Sequence, residues 1–394
     1  MSEITWEITS LSELGTFSRG KSKHRPRNDV KLFEDGKYPL VQTGDVKAAN
    51  LYITKNDSYY NDFGLKQSKL WPAGTLCITI AANIAETAIL SYPMCFPDSI
   101  VGFNANPEKS SELFVYYFFE YIKKEIQKSA SGSIQDNINI DYLSKMRIKI
   151  PDKKYQDKIV ELLSSIDKKI LLNNQINQEL ETMAKTLYDY WFVQFDFPDQ
   201  NGRPYKSSGG KMVYHPELKR EIPEGWGVAR LDQLQIATGK RDANFGTEHG
   251  KYDFWTTANS PIKADEFSFE GKAILIAGNG NFYVNFTDGK FEAYQRTYVI
   301  QSEDEKMLIF MYMACLQSAE KLRKGSNGSI IKYITIGDVN NISSPYDHNV
   351  VDEFVKIYSP LIDQISKNKN QNQELTQLRD WLLPMLMNGQ VKVE

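Results

Sequence analysis

The sequence predicts an α+β protein with two strand-rich domains separated by two long antiparallel coiled-coil helices, in a pseudo-two-fold internal repeat. Short phrases recur in the same order in the two halves of the chain. Each half begins with short β-branched and aromatic runs interrupted by Gly, Asn and Pro, which is typical of strands and turns. Each half ends with apolar residues at alternating spacings of four and three, which indicates a coiled-coil helix.

The internal repeat is carried by pairs of phrases that keep their order along the chain. They are Trp6-Glu7-Ile8 with Trp226-Gly227-Val228, Gly20-Lys21 with Gly239-Lys240, Ser131-Gly132-Ser133-Ile134 with Asn327-Gly328-Ser329-Ile330, and Asn177-Gln178-Glu179-Leu180 with Asn372-Gln373-Glu374-Leu375. The offset between partners falls from 220 residues in the first pair to 195 in the last. Similar ends around a variable middle are expected of one scaffold that carries two different binding surfaces.

The composition is that of an ordinary globular protein with two or three domains. The chain has 394 residues, of which 41% are apolar and 25% are charged. We find no apolar run of transmembrane length and no signal-peptide core, so we expect a cytoplasmic location. Cys77, Cys95 and Cys315 lie far apart, and the 4 histidines are scattered. We therefore expect reduced, buried cysteines and no metal site.

The strand-rich domains are expected at residues 1–152 and 223–348. Runs of β-branched residues such as Leu76–Ile80 predict their strands. Each domain also contains one helical stretch, Glu112–Lys128 in the first and Lys306–Lys324 in the second.

The long helices are predicted at residues 153–193 and 349–390. At ~1.5 Å per residue, the first would span roughly 60 Å if it is continuous. Residues 194–222 contain several Pro and Gly residues and form the connecting segment that an antiparallel pair of helices requires.

Two features of the second long helix predict where it begins and ends. Ser359 followed by Pro360 is typical of a helix start. Phe354 and Tyr358 would then lie on a separate preceding turn or beyond a kink. Pro384 should terminate or bend the helix, because proline cannot donate a backbone hydrogen bond.

The apolar seams of the two helices contain asparagines at matching places, which predicts how the helices pair. An antiparallel arrangement places Asn173 opposite Asn372 and Asn177 opposite Asn368. Buried asparagines destabilise a seam but fix its register; alternatively, these residues are solvated at a loose point. The residues expected to pair the helices are Ile166, Ile170, Asn173, Asn177, Leu180, Leu361, Ile365, Asn368, Asn372 and Leu375.

A local basic cluster is the first candidate for nucleic-acid binding, because the formal net charge of the whole chain is only −3. The stretch from Arg19 to Arg27 contains no acidic residue. Lysine and arginine neutralise DNA phosphates, and arginine can also read guanine. A solvated basic loop is the alternative. The candidates are Arg19, Lys21, Lys23, Arg25 and Arg27, with Lys240 and Arg241 at the corresponding place in the second copy.

Polar loops provide further candidates for DNA contact, because small and amide side chains can approach phosphates and base edges. Each of these loops could also be an ordinary turn. The candidates are Gln42, Thr43, Asn83, Ser131, Ser133 and Gln135 in the first copy, and Thr257, Asn259, Asn279, Asn281, Asn327, Ser329 and Lys332 in the second.

The segment Gly15–Ser22 matches the GxxxxGK[ST] pattern of nucleotide-binding loops. Such a loop requires a buried strand before it and a helix after it. Ser10–Leu14 is a poor central strand, and Lys23–Arg27 cannot easily start a helix. The chain also lacks the Asn/Asp-Pro-Pro-Tyr tetrapeptide of amino-methyltransferases and a convincing GxGxxG after a strand. No catalytic residue is predicted.

Along essentially its whole length, the chain resembles the specificity (S) subunit of type I restriction–modification systems. The resemblance depends on several phrases in order, namely Tyr38–Asp45, Cys95–Gly102, Ser131–Gln135, Ile150-Pro151 with Gln156–Ile159, Trp191–Pro198, Ser208–Met212, Ile222–Trp226 and Leu378–Val391. The second copy has Thr256-Thr257-Ala258-Asn259 where the first has Gln42-Thr43-Gly44-Asp45, so contact residues do not transfer between copies.

The resemblance implies a division of labour in a bacterial or archaeal cytoplasm. Each domain would read one half of an asymmetric, split sequence in double-stranded DNA, and the helices would set the gap between the halves. Two modification subunits would dock on the chain, bind S-adenosylmethionine and methylate adenine. Restriction subunits would add ATP- and Mg-dependent translocation and cleavage, and the chain itself would hold no cofactor.

Two other classes of function stay open at this point. One is a nucleotide-dependent DNA enzyme that uses Gly15–Ser22. The other is a duplicated scaffold protein that does not bind nucleic acid.

Overall fold

The computed structural model describes residues 4–81, 83–131, 140–247, 250–325 and 332–393. The chain divides into two compact units. Unit one contains Met1–Asn173 and Lys369–Glu394, and unit two contains Asn174–Asn368. Each unit therefore combines one strand-rich domain with part of each long helix.

The strands of unit one form two main sheets and one separate pair. The orders are β2-β10-β7-β8-β4, β5-β3-β9-β6 and β1-β11. Pairing is antiparallel except between β3 and β9 and between β4 and β8. The strands are β1 Trp6–Ser10, β2 Gly15–Arg19, β3 Tyr38–Leu40, β4 Tyr52–Ile53, β5 Ser58–Tyr60, β6 Leu70–Trp71, β7 Leu76–Thr79, β8 Thr87–Leu90, β9 Met94–Cys95, β10 Ile100–Ala105 and β11 Arg147–Pro151.

A long helix covers the larger sheet of unit one and confirms the helical stretch predicted there. Its apolar residues, Phe114, Val115, Tyr117 and Phe119, are buried in the same core as strands β7 and β10. The helices of this part of the chain are α1 Leu11–Leu14, α2 Thr43–Ala48, α3 Asp62–Lys66, α4 Glu112–Ser131, α5 Ile140–Lys145 and α6 Lys153–Tyr188.

Unit two repeats this design. Its sheets have the orders β15-β22-β19-β20, β17-β16-β21-β18, β14-β23 and β12-β13, and β16 and β21 are parallel, as β3 and β9 are. The strands are β12 Met212–His215, β13 Arg220–Pro223, β14 Gly227–Arg230, β15 Gln235–Thr238, β16 Tyr252–Trp255, β17 Ile262–Ala264, β18 Phe269–Glu270, β19 Ala273–Ala277, β20 Val284–Thr287, β21 Lys290–Ala293, β22 Thr297–Gln301 and β23 Ser343–Tyr346. The internal repeat predicted from the sequence is therefore confirmed in the fold.

The remaining helices are α7 Glu305–Gly325, α8 Ile336–Asn340 and α9 His348–Met387. Helix α7 confirms the helical stretch predicted in the second domain. Helix α6 continues into a π-helical turn at Asp189–Val193, so the predicted long helix up to residue 193 is also confirmed.

The predicted start of the second long helix, near residue 349, is close to the observed one, but the expectation that Ser359 and Pro360 mark a helix start is wrong. Helix α9 begins at His348, and Ser359 and Pro360 lie inside it. Phe354 and Tyr358 belong to the same helix and are buried in the core of unit two. Pro360 is on an exposed position, where water can bind the carbonyl that proline leaves without a helical partner. The buried apolar side chains of this turn outweigh that loss.

Of the two outcomes predicted for Pro384, termination of the helix is wrong. Helix α9 continues to Met387 because Leu383, Leu386 and Met387 are buried in the core of unit one. The end comes just before Gly389, whose φ of 76° is the left-handed conformation common after helices.

The two helices pair antiparallel in the predicted register. In unit one, Asn173 Nδ2 donates to Asn372 Oδ1 at 2.8 Å. In unit two, Asn368 Nδ2 donates to Asn177 Oδ1 at 2.8 Å. Asn173, Asn177 and Asn368 are 1%, 6% and 5% exposed, so these three asparagines are buried in the seam and not solvated. Ile166 is also buried, and the other predicted pairing residues are half-buried: Ile170, Leu180, Leu361, Ile365 and Leu375.

The cysteines lie where the sequence predicts. Cys77, Cys95 and Cys315 are buried and free, and burial raises the pKa of the Cys95 thiol to about 11. Across the residues that the structure describes, no group of His, Cys, Asp and Glu is arranged to hold a metal ion. No described helix is long and apolar enough to cross a membrane.

Candidate nucleic-acid interface

The candidate residues of unit one gather at one edge of its larger sheet. Strands β2 and β7 end there, at Arg19 and Thr79, and strands β8 and β10 begin there, at Thr87 and Ile100. We call this the first strand-end edge. The Gly20 amide donates to the Ile100 carbonyl at 2.9 Å, so the basic stretch starts directly at this edge.

Unit two has an equivalent edge at the ends of β15 and β19 and the starts of β20 and β22. We call it the second strand-end edge. The Gly239 amide donates to the Thr297 carbonyl at 2.9 Å, as Gly20 donates to Ile100. Because the bond is the same, Thr297 is the counterpart of Ile100.

The repeated Gly-Lys phrase has a steric cause at these edges. A Cβ atom at Gly20 would lie 2.3 Å from the Pro97 carbonyl oxygen. At Gly239 it would lie 2.2 Å from the Tyr294 carbonyl oxygen. Any larger residue would collide with the backbone.

The geometry also decides against a nucleotide-binding loop at Gly15–Ser22. Gly15–Arg19 is itself strand β2, paired with β10. The next helical turn is the short 3₁₀ turn Val30–Leu32, so no helix N-terminus follows the Gly-Lys pair. Phosphate binding of that kind requires one.

The five cations of the basic loop differ in what they contact. Arg27 Nη2 donates to Asp98 Oδ1 at 2.7 Å, and Arg25 Nη1 donates to the Ser22 carbonyl at 2.6 Å. These two guanidinium groups hold the loop closed. Asp29 accepts from His24 at 2.7 Å and from the Lys31 amide, and these two bonds lower the pKa of Asp29.

The side chains of the other three cations do not form such contacts with the described residues. Gln67 Oε1 accepts from the backbone amides of Lys23 and His24 at 2.7 and 3.1 Å, which fixes the loop from within. Arg19, Lys21 and Lys23 are exposed, and their side chains have no ion pair with any described residue. They present positive charge from a fixed backbone.

At the second edge, Lys240 and Arg241 behave differently. Lys240 is exposed, with its Nζ 5.4 Å from the centre of the Phe269 ring. Arg241 forms ion pairs with Glu266 at 2.6 Å and with the fully buried Glu292 at 3.3 Å. The charge of Arg241 is therefore largely neutralised by carboxylates of its own domain.

A hairpin turn between β7 and β8 brings Asn83 to the first edge. Asn83 is exposed, and its Oδ1 accepts from Lys47 Nζ at 3.3 Å. Lys47 is near the end of α2, and Gln42 and Thr43 stand at the start of that six-residue helix. Gln42 is exposed and Thr43 is half-buried.

The corresponding hairpin of unit two brings together two loops that are distant in sequence. The Gly280 amide donates to the Lys332 carbonyl at 2.9 Å. Asn281 Nδ2 donates to the Tyr283 hydroxyl at 3.2 Å. The side-chain oxygen of Asn279 is buried and has no hydrogen bond within the described part of the chain.

The loop after β16 also reaches the second edge. Thr297 Oγ1 donates to the Thr256 carbonyl at 3.1 Å, which places Thr257 and Asn259 beside the start of β22. Asn259 is exposed and Thr257 is half-buried.

Several predicted residues fall outside the described residues: Ser133, Gln135, Asn327 and Ser329 and the side chain of Ser131. The sequence reasoning missed Lys47 and Arg296, which the structure adds to the edges. Arg296 comes directly before the strand-like run Thr297–Gln301. An alignment of this run with β10 of the first copy would have identified Arg296 as a residue at the second strand-end edge.

The fold and the two edges define a duplicated recognition protein, with one scaffold that presents a different set of polar side chains in each copy. The chain matches the family profile described as "Type I restriction modification DNA specificity domain", at residues 3–182 and again at 223–377. The chain belongs to this family.

Two relatives match over nearly the whole chain. The type I restriction enzyme MjaIX specificity subunit of Methanocaldococcus jannaschii is 26% identical, over 99% of this chain and 94% of the relative. The HindI specificity subunit of Haemophilus influenzae is 24% identical, over 93% and 97% respectively. Among solved structures, the type I S subunit from M. genitalium has the same fold, with a TM-score of 0.60, 17% identity and coverage of 98% and 97%.

Proposed function

We propose that this chain is the non-catalytic DNA-recognition subunit of a type I restriction–modification complex. Each strand-end edge reads one half of an asymmetric, bipartite sequence in double-stranded DNA. One observation carries the proposal: two copies of one scaffold place different cationic and amide side chains at the same edge. Arg19, Lys23 and Asn83 stand at the first edge, whereas Lys240, Asn281 and Arg296 stand at the second.

The edges suit the two kinds of contact that sequence recognition needs. Exposed lysines neutralise phosphates and position the protein, while amide and guanidinium groups distinguish bases by their hydrogen-bonding pattern. At the first edge, Arg19, Lys21 and Lys23 supply the positive charge from a loop fixed by Gln67. A fixed loop loses little conformational freedom when it binds.

Membership of the family supports the partners that we propose. Two modification subunits dock on the chain and supply S-adenosylmethionine-dependent adenine methylation. Restriction subunits add ATP- and Mg-dependent cleavage. The paired helices α6 and α9 set the gap between the two half-sequences.

The test is a methylation map. The full chain is expressed with its modification subunits in a host without adenine methylation, and methylated sites are located across the genome. We expect one motif with two different halves and a constant gap. Methylation without sequence preference, or no sequence-selective DNA binding by the purified complex, would reject DNA recognition in favour of a scaffold role.

A further inference from the structure

Arg296 lies in the turn that leads into β22, at the second strand-end edge, and its backbone is tightly held. Its carbonyl accepts from the Gly278 amide at 2.7 Å, and the next residue, Thr297, donates to the Tyr294 carbonyl at 2.7 Å. A Cβ at Gly278 would lie 2.5 Å from the Arg296 carbonyl oxygen. The backbone segments at Gly278 and Arg296 are therefore in close contact, with no space for a side chain between them.

The side chain of Arg296 is free to bind a ligand. It is exposed, and it makes no ion pair with any residue in the described ranges. Arg241, another arginine near this edge, is held by Glu266 and Glu292. Of these two, only Arg296 offers an unengaged guanidinium.

The surroundings of Arg296 favour a nucleic-acid base over an acidic protein. Asn279 follows Gly278 directly, and Gly280 of the same hairpin turn donates to the carbonyl of Lys332, which lies in a loop distant in sequence. The backbone of Arg296 therefore lies beside a segment that carries an amide side chain, and that segment contacts the backbone of a second cationic residue. Such a mixture fits the donors and acceptors of base pairs and the nearby phosphates.

The first copy has the same turn with a different side chain. There, the Ile80 amide donates to the Ser99 carbonyl at 3.0 Å, as Gly278 donates to Arg296. Ser99 is thus the counterpart of Arg296. A position where the backbone is kept and the side chain is changed is expected to distinguish the two half-sequences.

We propose that Arg296 reads a guanine in the half-sequence that the second domain recognises, an inference that rests on the proposed function. A guanidinium can donate two parallel hydrogen bonds to O6 and N7 of guanine, and no other base offers that pair of acceptors in the major groove. The tightly held backbone of the turn fixes the point from which the side chain extends, which limits the positions that its donors can reach.

The experiment compares Arg296→Lys and Arg296→Ala in the full chain with its modification subunits, by genome-wide mapping of methylated sites. Lysine keeps the positive charge but cannot donate the bidentate pair of hydrogen bonds that a guanidinium can. We expect both variants to accept other bases at one guanine position of the second half-sequence, with selectivity there reduced roughly 10-fold or more. The first half-sequence and the gap stay unchanged.

Lys272→Ala is the matched control, because it removes a cation at the other end of β19, where Lys272 pairs with Glu305. It should leave the motif intact. If Arg296→Lys keeps the wild-type motif, the proposal is overturned. This holds if Arg296→Ala weakens methylation of all sites equally, as loss of a phosphate contact would, and also if Arg296→Ala changes nothing.

A variant that methylates no site is tested by competition binding of the purified complex to duplexes that differ at single bases. An unchanged order of preference overturns the proposal, and a lost guanine preference supports it. Absence of any sequence preference in the wild-type complex would instead reject the proposed function.

Discussion

One glycine at each strand-end edge, Gly20 or Gly239, lets two backbone segments pack closely because it has no side chain. Gly20 and Gly239 let the chain leave strands β2 and β15 against the backbone of the turns before β10 and β22, which lies within 2.4 Å of where a Cβ would stand. A sequence pattern that suggests phosphate binding is here a packing requirement. The lysine after each glycine is consequently placed at the same point of both edges.

We expect Gly20→Ala to destabilise unit one by about 1–3 kcal/mol, because the added methyl group forces the backbone apart. Gly44→Ala is the control, since no atom lies within 4 Å of the Cβ position at Gly44. Thermal unfolding of the two variants measures the difference. Equal unfolding temperatures would show that the edge adjusts freely.

The cations of the basic loop divide into those that hold the loop and those that face solvent. Arg25 and Arg27 contact Ser22 and Asp98, whereas Lys21 and Lys23 are exposed. The same residue types therefore hold the loop in one half and are available for the proposed DNA contact in the other.

We predict that Lys21→Ala with Lys23→Ala weakens binding of the complex to specific and non-specific DNA alike. Two lost phosphate contacts should reduce the slope of log K against log salt by about 2. Binding titrations at several salt concentrations measure this slope. Lys37→Ala is the control, because Asp62 already pairs with Lys37 at 3.1 Å; an equal effect of the control would contradict a specific role for the loop.

At the scale of elements, the long helix α9 shows that packing can overrule local signals. Pro360 and Pro384 both lie inside it. Apolar residues on the buried side, including Phe354 and Leu386, are inaccessible to water, and burial of each such side chain contributes about 1.5–3 kcal/mol. The hydrogen bond lost at each proline is smaller than the sum of these contributions.

The seam between α6 and α9 also contains an ion pair. Arg379 Nη1 donates to Asp167 Oδ1 at 2.8 Å, and the Tyr117 hydroxyl donates to Asp167 Oδ2 at 2.6 Å. Burial raises the pKa of the Tyr117 hydroxyl, which therefore stays a donor. Helix α4 is thus joined to both long helices within unit one.

We expect Arg379→Met to destabilise the protein by about 2–4 kcal/mol, because it leaves the carboxylate of Asp167, 9% exposed, without its cation. Adding Asp167→Asn should recover at least half of the loss, since asparagine can still accept from Tyr117. Urea unfolding midpoints measure both effects. No recovery in the double variant would mean that the arginine stabilises the seam by packing alone.

At the scale of the whole molecule, the two copies share the order of their common strands, one parallel strand pair and the edge that carries the candidate residues. The first copy uses an exposed basic loop, whereas the second ties Arg241 to carboxylates and exposes Arg296 instead. A duplicated scaffold can change one surface without disturbing the other, because each domain has its own core.

The proposed role of the helices predicts that their length sets the gap in the DNA target. Inserting seven residues into each helix at matched positions keeps the seam and adds about 10 Å, or at most about three base pairs. Methylation mapping should then show a longer gap between unchanged half-sequences. An altered half-sequence with the original gap would contradict the proposal.

The sequence by itself determined the repeat, the helical segments and the antiparallel register, because periodicity and buried asparagines such as Asn173 act locally or in simple pairs. The sequence also indicated most of the candidate residues at both edges, because they are polar residues between strands of buried apolar residues. Tertiary structure alone decided that α9 runs through Pro360, that Arg241 is neutralised while Arg296 is free, and that Gly20 serves packing. These outcomes depend on which groups distant in sequence come into contact, and neither composition nor spacing encodes such contacts.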